Sequence, residues 1–534
     1  MDIAPNTDLM ILKNCPLDTQ YNNTLYWANA TAQYNYFYSL AKVTYANLTY
    51  QRVNKGVVRV QVNTAYPLNT INDCNYMMFR NTSFGSKWFY AFILKIEYVN
   101  NITFDISYQI DVMQTYFFDY TLKQCFVVRE HSATDAVGDN LQPEQLEIGE
   151  YVADDYVKTG HFDNYKIVVA APYDRGLNVI DGTAYSGIIG QIYYITYDFA
   201  FTTPQSDGIV GFLAWMNTAG PGQILNAYGC FLYPTDFVTD PWIVDGQGVA
   251  YAIPQMRSYT IQITKKIAGA IDGYTPKNKK LYTYPYNFLY VTNLQGNSAE
   301  YRYEYFSTIN ANFELTGDFS INPHFFFAPK GYKGVSSSTV NWDERLTMSG
   351  FPQLPVACDT FKNWLANTAI SGVISAAQAG SGKMIGGNPN LMDAIYAAGR
   401  SASATSIEIA VRGALQKSDS PYKMTAQGTG AGSAYTLASL RALDFVYQHK
   451  HVTAEYAKVI DDYFTRFGYA CNKTKVPSIA NRPIWNYVKT QGCCILASCP
   501  ADDAKAIEEI YDRGVTFWKD ASKVGDYSGN NAPT

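Results

Sequence analysis

The chain has 534 residues, 47% hydrophobic and only 16% charged, with 45 Tyr and 28 Phe. This is the composition of a folded chain with a large, β-leaning core and room for two to four domains, and it excludes an intrinsically disordered polypeptide. The formal net charge of −5 excludes a protein that grips nucleic acid through its phosphates, but not a passage through which DNA slides without sticking. Abundant Tyr with low charge suits large buried contacts and points to a homo-oligomer. The nine Cys are scattered and odd in number. They read as small buried apolar residues of a protein folded in a reducing cytoplasm. The start, MDIAPNTDLM, lacks the features of a secretory signal, and no run of about 18 uncharged apolar residues encodes a membrane-spanning helix.

From Met1 to about His131 the pattern is β-rich with short polar turns. The aromatic run Tyr34 to Tyr38 is read as strand, and Val57, Arg59 and Gln61 face away from Val58, Val60 and Val62. The organising stretch is Asn75 to His131, read as a long β-hairpin. In its second arm Ile102, Phe104, Ile106, Tyr108, Ile110 and Val112 alternate with Thr103, Asp105, Ser107, Gln109 and Asp111, the period of a strand with one dry face. In the first arm Trp88, Tyr90, Phe92, Leu94, Ile96 and Tyr98 take the dry face, with Lys95 and Glu97 on the wet one. Matching the faces predicts Tyr98 opposite Ile102, Lys95 opposite Asp105, and Val99, Asn100 and Asn101 as the loop. The next register, rejected here, sets Glu97 against Asp105. Phe89, Ala91 and Ile93 are apolar too, so this end is expected to be covered on both sides.

An acidic stretch (Asp135, Asp139, Glu144, Glu147, Glu150, Asp154, Asp155) marks a boundary into a middle region. Ile188 to Phe199 and Tyr301 to Phe306 read there as strands, broken by turns such as Ala219-Gly220-Pro221-Gly222. After Cys358 the character changes. Phe361 to Asn367 reads as a short helix. From Ala366 to about Gly432 the chain is dominated by Ala, Gly and Ser, with Ile370, Val373, Ile374, Met384, Ile385, Leu391, Met392, Ile395, Ile407, Ile409, Val411 and Leu415 as its larger apolar residues. Up to Lys417 its charges are Lys383, Asp393, Arg400, Glu408, Arg412 and Lys417. Asn388-Pro389 offers a helix start. The segment is helix-prone, too small-sided for a good core, and suited to contact a bilayer as a mobile apolar arm; packed helices or a surface loop are the plainer alternatives. Beyond Leu437 the pattern predicts a strand over Asp444–Val452, a helix over Ala454–Phe467 capped by Thr453, a strand over Trp485–Lys489, a helix over Asp502–Asp512 ended by Gly514, and a strand over Val515–Trp518.

Candidate chemistry is sparse. Gly380-Ser381-Gly382-Lys383-Met384 departs from a phosphate loop, with Ala377 and Met384 where Gly and Ser/Thr are needed. Arg129-Glu130-His131 resembles an acid/base cluster, but a strand end with one ion pair explains it. His449 and His451 share a strand face without a third metal ligand, and Cys493, Cys494 and Cys499 lack zinc spacing. Asp461-Asp462 and Glu508-Glu509 read as solvated helix faces, and Lys277, Lys279 and Lys280 as a basic surface turn. No catalytic residue, metal site or cofactor is predicted, and the role is structural rather than enzymatic.

Several stretches are recognisable in order: Tyr21-Asn22-Asn23-Thr24 and Gln33-Tyr34-Asn35; Lys87-Trp88-Phe89-Tyr90-Ala91-Phe92, Ile110-Asp111-Val112, Gln114-Thr115 and Val128-Arg129-Glu130-His131; Tyr284-Pro285-Tyr286, Val291-Thr292 and Glu304-Tyr305; Phe467-Gly468-Tyr469, Asn486-Tyr487-Val488 and Gly514-Val515-Thr516. Together they resemble the tail knob (distal tail tube) proteins of small short-tailed bacteriophages, the picovirus-like podoviruses. About Asp135 to Pro276 is much less alike. The resemblance implies a mainly β fold with some α: β-barrel or sheet tube domains forming a hexameric cylinder, plus a helix-prone Ala/Gly-rich loop insertion. It implies a division into an N-terminal β tube domain (1–133), a variable middle β domain (134–276), a second part of the tube (277–365), an apolar plug loop (366–432) and a C-terminal α+β segment returning to the tube (433–534). The implied partners are five further copies, the lower collar or connector-tail proteins of the virion, double-stranded DNA passing through the lumen without sequence-specific binding, and the host membrane through the apolar loop. A receptor- or glycan-binding tail module and a cell-wall hydrolase in the middle region are the competing functions.

Overall fold

The computed structural model describes residues 6–48, 52–54, 56–61, 71–82, 85–171, 193–198, 229–237, 243–244, 250–251, 257–318, 323–349 and 444–533. In chain order the elements begin with β1 (Thr7–Lys13), β2 (Asn23–Leu25), α1 (Ala30–Ser39), β3 (Ala41–Leu48), β4 (Arg52–Asn54), β5 (Val57–Gln61), β6 (Cys74–Asn81), β7 (Trp88–Asn100), β8 (Thr103–Ile110), the short α2 (Val112–Thr115), β9 (Tyr120–Leu122) and β10 (Cys125–Glu130). Then come β11 (Tyr151–Lys158), β12 (Tyr165–Ala171), β13 (Tyr193–Asp198), β14 (Gly229–Pro234), β15 (Ile243–Val244), β16 (Ala250–Tyr251), β17 (Tyr259–Thr264), β18 (Asn287–Thr292), β19 (Ser298–Tyr301), β20 (Asn310–Gly317), β21 (Phe325–Lys330) and β22 (Leu346–Met348). The last are β23 (Val446–Val452), α3 (Ala454–Phe467), β24 (Tyr469–Lys475), β25 (Trp485–Gln491), β26 (Ile495–Ala497), α4 (Ala501–Arg513) and β27 (Val515–Trp518). The protein is mainly β with some α. It divides into two compact units, one built from Met1–Tyr151, Ala268–Tyr286 and Val452–Thr534, the other from Val152–Ile267 and Asn287–His451.

The first unit holds a seven-stranded sheet, β3-β1-β6-β7-β8-β5-β4, and a five-stranded sheet, β2-β27-β25-β10-β24. The large sheet is antiparallel throughout, and β2 joins β27 in parallel. One core joins Leu12, Tyr76, Tyr90 and Phe92 of the large sheet to Phe37 of α1, Met113 of α2, Tyr511 of α4, and Trp485 and Trp518 of the small sheet. The opposite face of the large sheet buries Leu9, Ile11, Val58, Val60, Ala91, Phe104 and Ile106. Adjacent residues Tyr90 and Ala91 thus enter different cores, and the hairpin base is covered on both sides as its apolar run demands.

The hairpin register differs from the expected one. Glu97 stands opposite Asp105, and Lys95 opposite Ser107. Arg59 on the neighbouring β5 explains why the like charges tolerate each other: its guanidinium grips both Asp105 oxygens, at 2.7 and 2.8 Å. Glu97 in turn pairs with Lys95 on its own strand. Asn100 pairs with Thr103, so the turn is Asn101 and Ile102, and irregularities fall between Tyr98 and Asn100 and between Ile93 and Lys95. The second, a bulge at Leu94, reverses the face assignment. Beyond it Ile96 packs on the same core as Phe104 and Ile106; before it Ala91 and Ile93 do. Leu94, Tyr98 and Ile102, expected dry, are 56%, 61% and 54% exposed.

Tyr34 to Tyr38 form part of helix α1, not a strand. Asn29 caps it by accepting the Ala32 amide at 2.8 Å, and helical spacing lets Phe37 stack on Tyr76 with ring centroids 5.3 Å apart. The cap and the buried ring outweigh the β preference of the aromatics. Tyr301 ends β19, and Tyr303–Tyr305 make a 3-10 turn rather than continuing as strand. Toward the C-terminus Val446–Val452, Ala454–Phe467, Trp485–Gln491, Ala501–Arg513 and Val515–Trp518 are strand, helix, strand, helix and strand, as their periodicity predicts. Gly514 caps α4 with a left-handed φ of 102°.

The second unit contains three sheets, β11-β23-β18-β19, β14-β12-β13-β16-β15 and β17-β20-β21-β22. Strand β20 alternates cleanly, burying Ala311, Phe313 and Leu315. The expected strand Ile188–Phe199 is described only as β13, and the turn at Ala219–Gly222 lies outside the described residues.

Candidate functional site

The whole predicted apolar loop lies outside the described residues: Ile370, Val373, Ile374, Met384, Ile385, Leu391, Met392, Ile395, Ile407, Ile409, Val411 and Leu415, together with Phe361–Asn367, Gly380–Met384 and Asn388-Pro389. Described residues on either side, Leu346–Met348 and Asp444-Phe445, are built into one aromatic cluster of the second unit. On the outgoing side β22 pairs with β21, Leu346 opposite Phe327 and Met348 opposite Phe325, and both Leu346 and Met348 are buried. The Asn293 amide donates to the Thr347 carbonyl at 2.8 Å. On the returning side Phe445 is fully buried and stacks on Phe327 at 5.4 Å. It also meets Phe162 at 6.0 Å, and Phe162 packs edge-on against Phe325 at 5.2 Å. Asp444 is 1% exposed and accepts the Thr159 hydroxyl and the Thr159 and Gly160 amides, the latter at 2.9 Å. Burial pushes its carboxyl pKa up, and these donors oppose the shift. The described residues that flank 350–443 therefore enter the same buried cluster.

The candidate chemical groups turn out to brace the fold. Arg129 donates to the Gly468 carbonyl at 2.6 Å and pairs with Glu144. The Glu144 side chain is only 1% exposed and also accepts from Lys280 at 2.6 Å and from the Ala470 amide at 2.9 Å. Lys280, expected on a surface turn, is 4% exposed. Burial lowers its pKa against the pull of Glu144. Glu130 pairs with Lys475 and accepts the Ser478 amide at 3.2 Å. The expected single ion pair at this strand end is therefore two. His131 accepts the Tyr487 amide at 2.8 Å on Nδ1 and, through Nε2, donates to the Thr465 carbonyl at 3.1 Å. Burial, helped by nearby Arg482, pushes its pKa down to about 3. A neutral imidazole with both nitrogens engaged by backbone is a strut, not a proton carrier.

Asp461 corrects another expectation. Its carboxylate is fully buried and accepts the Tyr274 hydroxyl and the Lys277 and Asn278 amides at 2.8, 2.7 and 3.0 Å. It pins the segment around Lys277 to α3. Asp462 is on the solvated face as expected. Glu508, half-buried, accepts the Ile495 amide at 3.1 Å. His449 and His451 are both buried on one face of β23, but they take different partners. His449 Nδ1 bonds the Tyr303 hydroxyl and His451 Nε2 lies 3.1 Å from Asp154. Burial lowers the His449 pKa to about 4. No cluster of three or more potential ligands suits a metal ion among the described residues. No helix of the described residues is long and apolar enough to cross a membrane.

Comparison with known proteins places the chain first among phage tail proteins. Residues 5–121 match the family model described as the Caudoviral major tail protein N-terminus. The tail knob protein gp12 of bacteriophage C1 has a similar fold, with a TM-score of 0.61 at 15% identity over 98% of both chains. Residues 252–532, more than half of the chain, match the model for the C-terminal domain of the Bacillus phage phi29 tail knob protein gp9. The chain belongs to that family: it is a tail knob structural protein of a short-tailed phage and a component of the virion tail. It is 24% identical to the tail knob protein gp9 of Bacillus phage B103 and 23% identical to that of phi29, in each case over 98% of both chains.

Proposed function

We propose that six copies form a hollow β-walled cylinder at the tail tip through which double-stranded DNA leaves the particle. It would associate with the lower collar or connector-tail proteins and carry no enzymatic activity. In this reading the Ala/Gly-rich segment 366–432 closes the outlet and, once released, meets the host membrane through residues such as Ile370, Val373, Leu391, Met392 and Ile395. The observation that carries the proposal is the cluster shared by the described residues that flank 350–443. Leu346 and Met348 on one side and Asp444 and Phe445 on the other enter one buried cluster, so the segment between them can change packing while its anchors hold. Exchange between a packed and an expelled state is a population shift, which lipid contacts would drive. The net charge of −5 fits a lumen that does not bind DNA by counterion release.

Two measurements test this. Negative-stain images of the purified chain should show six-fold hollow particles; a monomer at high concentration would refute the tube. Liposome leakage should disappear when residues 366–428 are removed while the oligomer persists; unchanged leakage would remove the membrane role.

A further inference from the structure

All seven described cysteines are free thiols, and three meet at one end of the β10–β25 pair. Cys125 opens β10, where Phe126 lies opposite Gln491 and Val127 opposite Thr490. Gly492, with a left-handed φ of 66°, follows β25, and Cys493 and Cys494 come next. A second ladder starts just beyond them, with Ile495 opposite Leu122. Between the two ladders the Lys123 amide donates to the Cys494 carbonyl at 2.9 Å. The two segments are thus held side by side on both flanks of Cys125 and Cys493. Both are buried, at 6% and 8% exposure, while Cys494 faces solvent.

We propose that Cys125 and Cys493 form a disulfide site, open while the chain folds in a reducing cytoplasm and closed by oxidation in the released particle. Virion surfaces lie outside the compartment that keeps thiols reduced. The oxidant is a small disulfide such as oxidised glutathione. The Cys493 thiolate attacks one of its sulfurs and one glutathione thiolate leaves. The Cys125 thiolate then attacks the Cys493 sulfur and expels the second glutathione. Two electrons pass from the protein thiols to the oxidant, and the two protons end on two glutathione thiols. Burial pushes both protein thiols up, Cys493 to about 12. Thiolate is therefore scarce at neutral pH, and closure is slow and accelerates with pH. The bond joins strands far apart in sequence, so it closes a long loop and restricts the unfolded chain strongly.

The full chain, purified in reductant, is moved into oxidised glutathione, denatured in excess maleimide and digested without reductant. Nine thiols react before oxidation; the proposal expects two fewer afterwards, one linked peptide pair containing Cys125 and Cys493, and a rise in melting temperature reversed by dithiothreitol. Cys494→Ser keeps the link. Cys493→Ser and Cys125→Ser lose both the link and the temperature rise. The wild-type linkage stands as a readout independent of how the variants fold. Full labelling after prolonged oxidation at about pH 8.5, or a link joining any other pair, overturns the proposal.

Discussion

Replacing Glu144 by Gln tests whether the buried Arg129–Glu144–Lys280 group is an energetic keystone of the first unit. Glu144 is the single anion between two cations, with side-chain exposures of 1% for Glu144, 3% for Lys280 and 11% for Arg129. Gln keeps the shape and can still accept the Ala470 amide, but it leaves two positive charges facing each other in a poorly solvated site. Breaking a buried pair by removing one partner costs ~3–5 kcal/mol, because the remaining charge stays buried and uncompensated. The group of three carries one excess positive charge, so Lys280→Met should behave differently. It leaves Arg129 and Glu144 balanced and puts an apolar chain beside Phe464 and Tyr469, whose rings lie 5.5 and 5.4 Å from the Lys280 nitrogen. The expected loss there is under ~2 kcal/mol. Adding Lys280→Met to Glu144→Gln should restore part of the stability, a coupling that a double-mutant cycle isolates. Guanidinium unfolding followed by tryptophan emission reads all three variants, since Trp485 and Trp518 sit in the core of the same unit. If Lys280→Met costs as much as Glu144→Gln, or if Glu144→Gln costs less than ~1 kcal/mol, the charge argument fails.

Gly468 ends α3 with φ 65° and ψ −149°, a region open in practice to Gly, and a Cβ there would lie 2.3 Å from the Glu130 carbonyl oxygen. Gly468→Ala should cost at least ~1–3 kcal/mol and lower the melting temperature accordingly; an unchanged melt would show that the backbone relaxes freely. The pH response should carry two opposed components. His131 has a folded pKa of about 3, below its ordinary value, so the unfolded chain takes up the proton first and stability is lost as pH falls from about 6.5 toward 3, by up to ~1.4 kcal/mol per pH unit. Asp111 is fully buried and pushed up to about 7. Its contribution is present at low pH and lost as pH rises through 7, so Asp111→Asn should stabilise the chain near pH 8 and bring no gain near pH 4. Denaturation midpoints across that range check both signs, and a gain for Asp111→Asn that is equal at both ends would refute the assignment.

Much of this protein was legible in its linear order. Alternation in Thr103–Ile110 and Val57–Gln61, the Thr453 start of the helix Ala454–Phe467, the Gly514 stop of the helix Ala501–Arg513, and the ordered matches from Tyr21 to Thr516 all concern residues near one another in sequence. They sufficed for the β-rich class, the C-terminal elements and the tail knob family. What escaped depended on neighbours remote in sequence. Like charges at Glu97 and Asp105 look repulsive until Arg59 is brought beside them by β5. The bulge at Leu94 inverts a face without changing the pattern of letters. Tyr34–Tyr38 read as strand until Asn29 and Tyr76 supply a cap and a stacking surface. Asp461 and Lys280 look like surface charges until folding surrounds them with Tyr274 and Asn278, and with Glu144, respectively. Periodicity is a local property of the chain, whereas the partner that neutralises a charge or fills a bulge is supplied only when distant strands and helices come together.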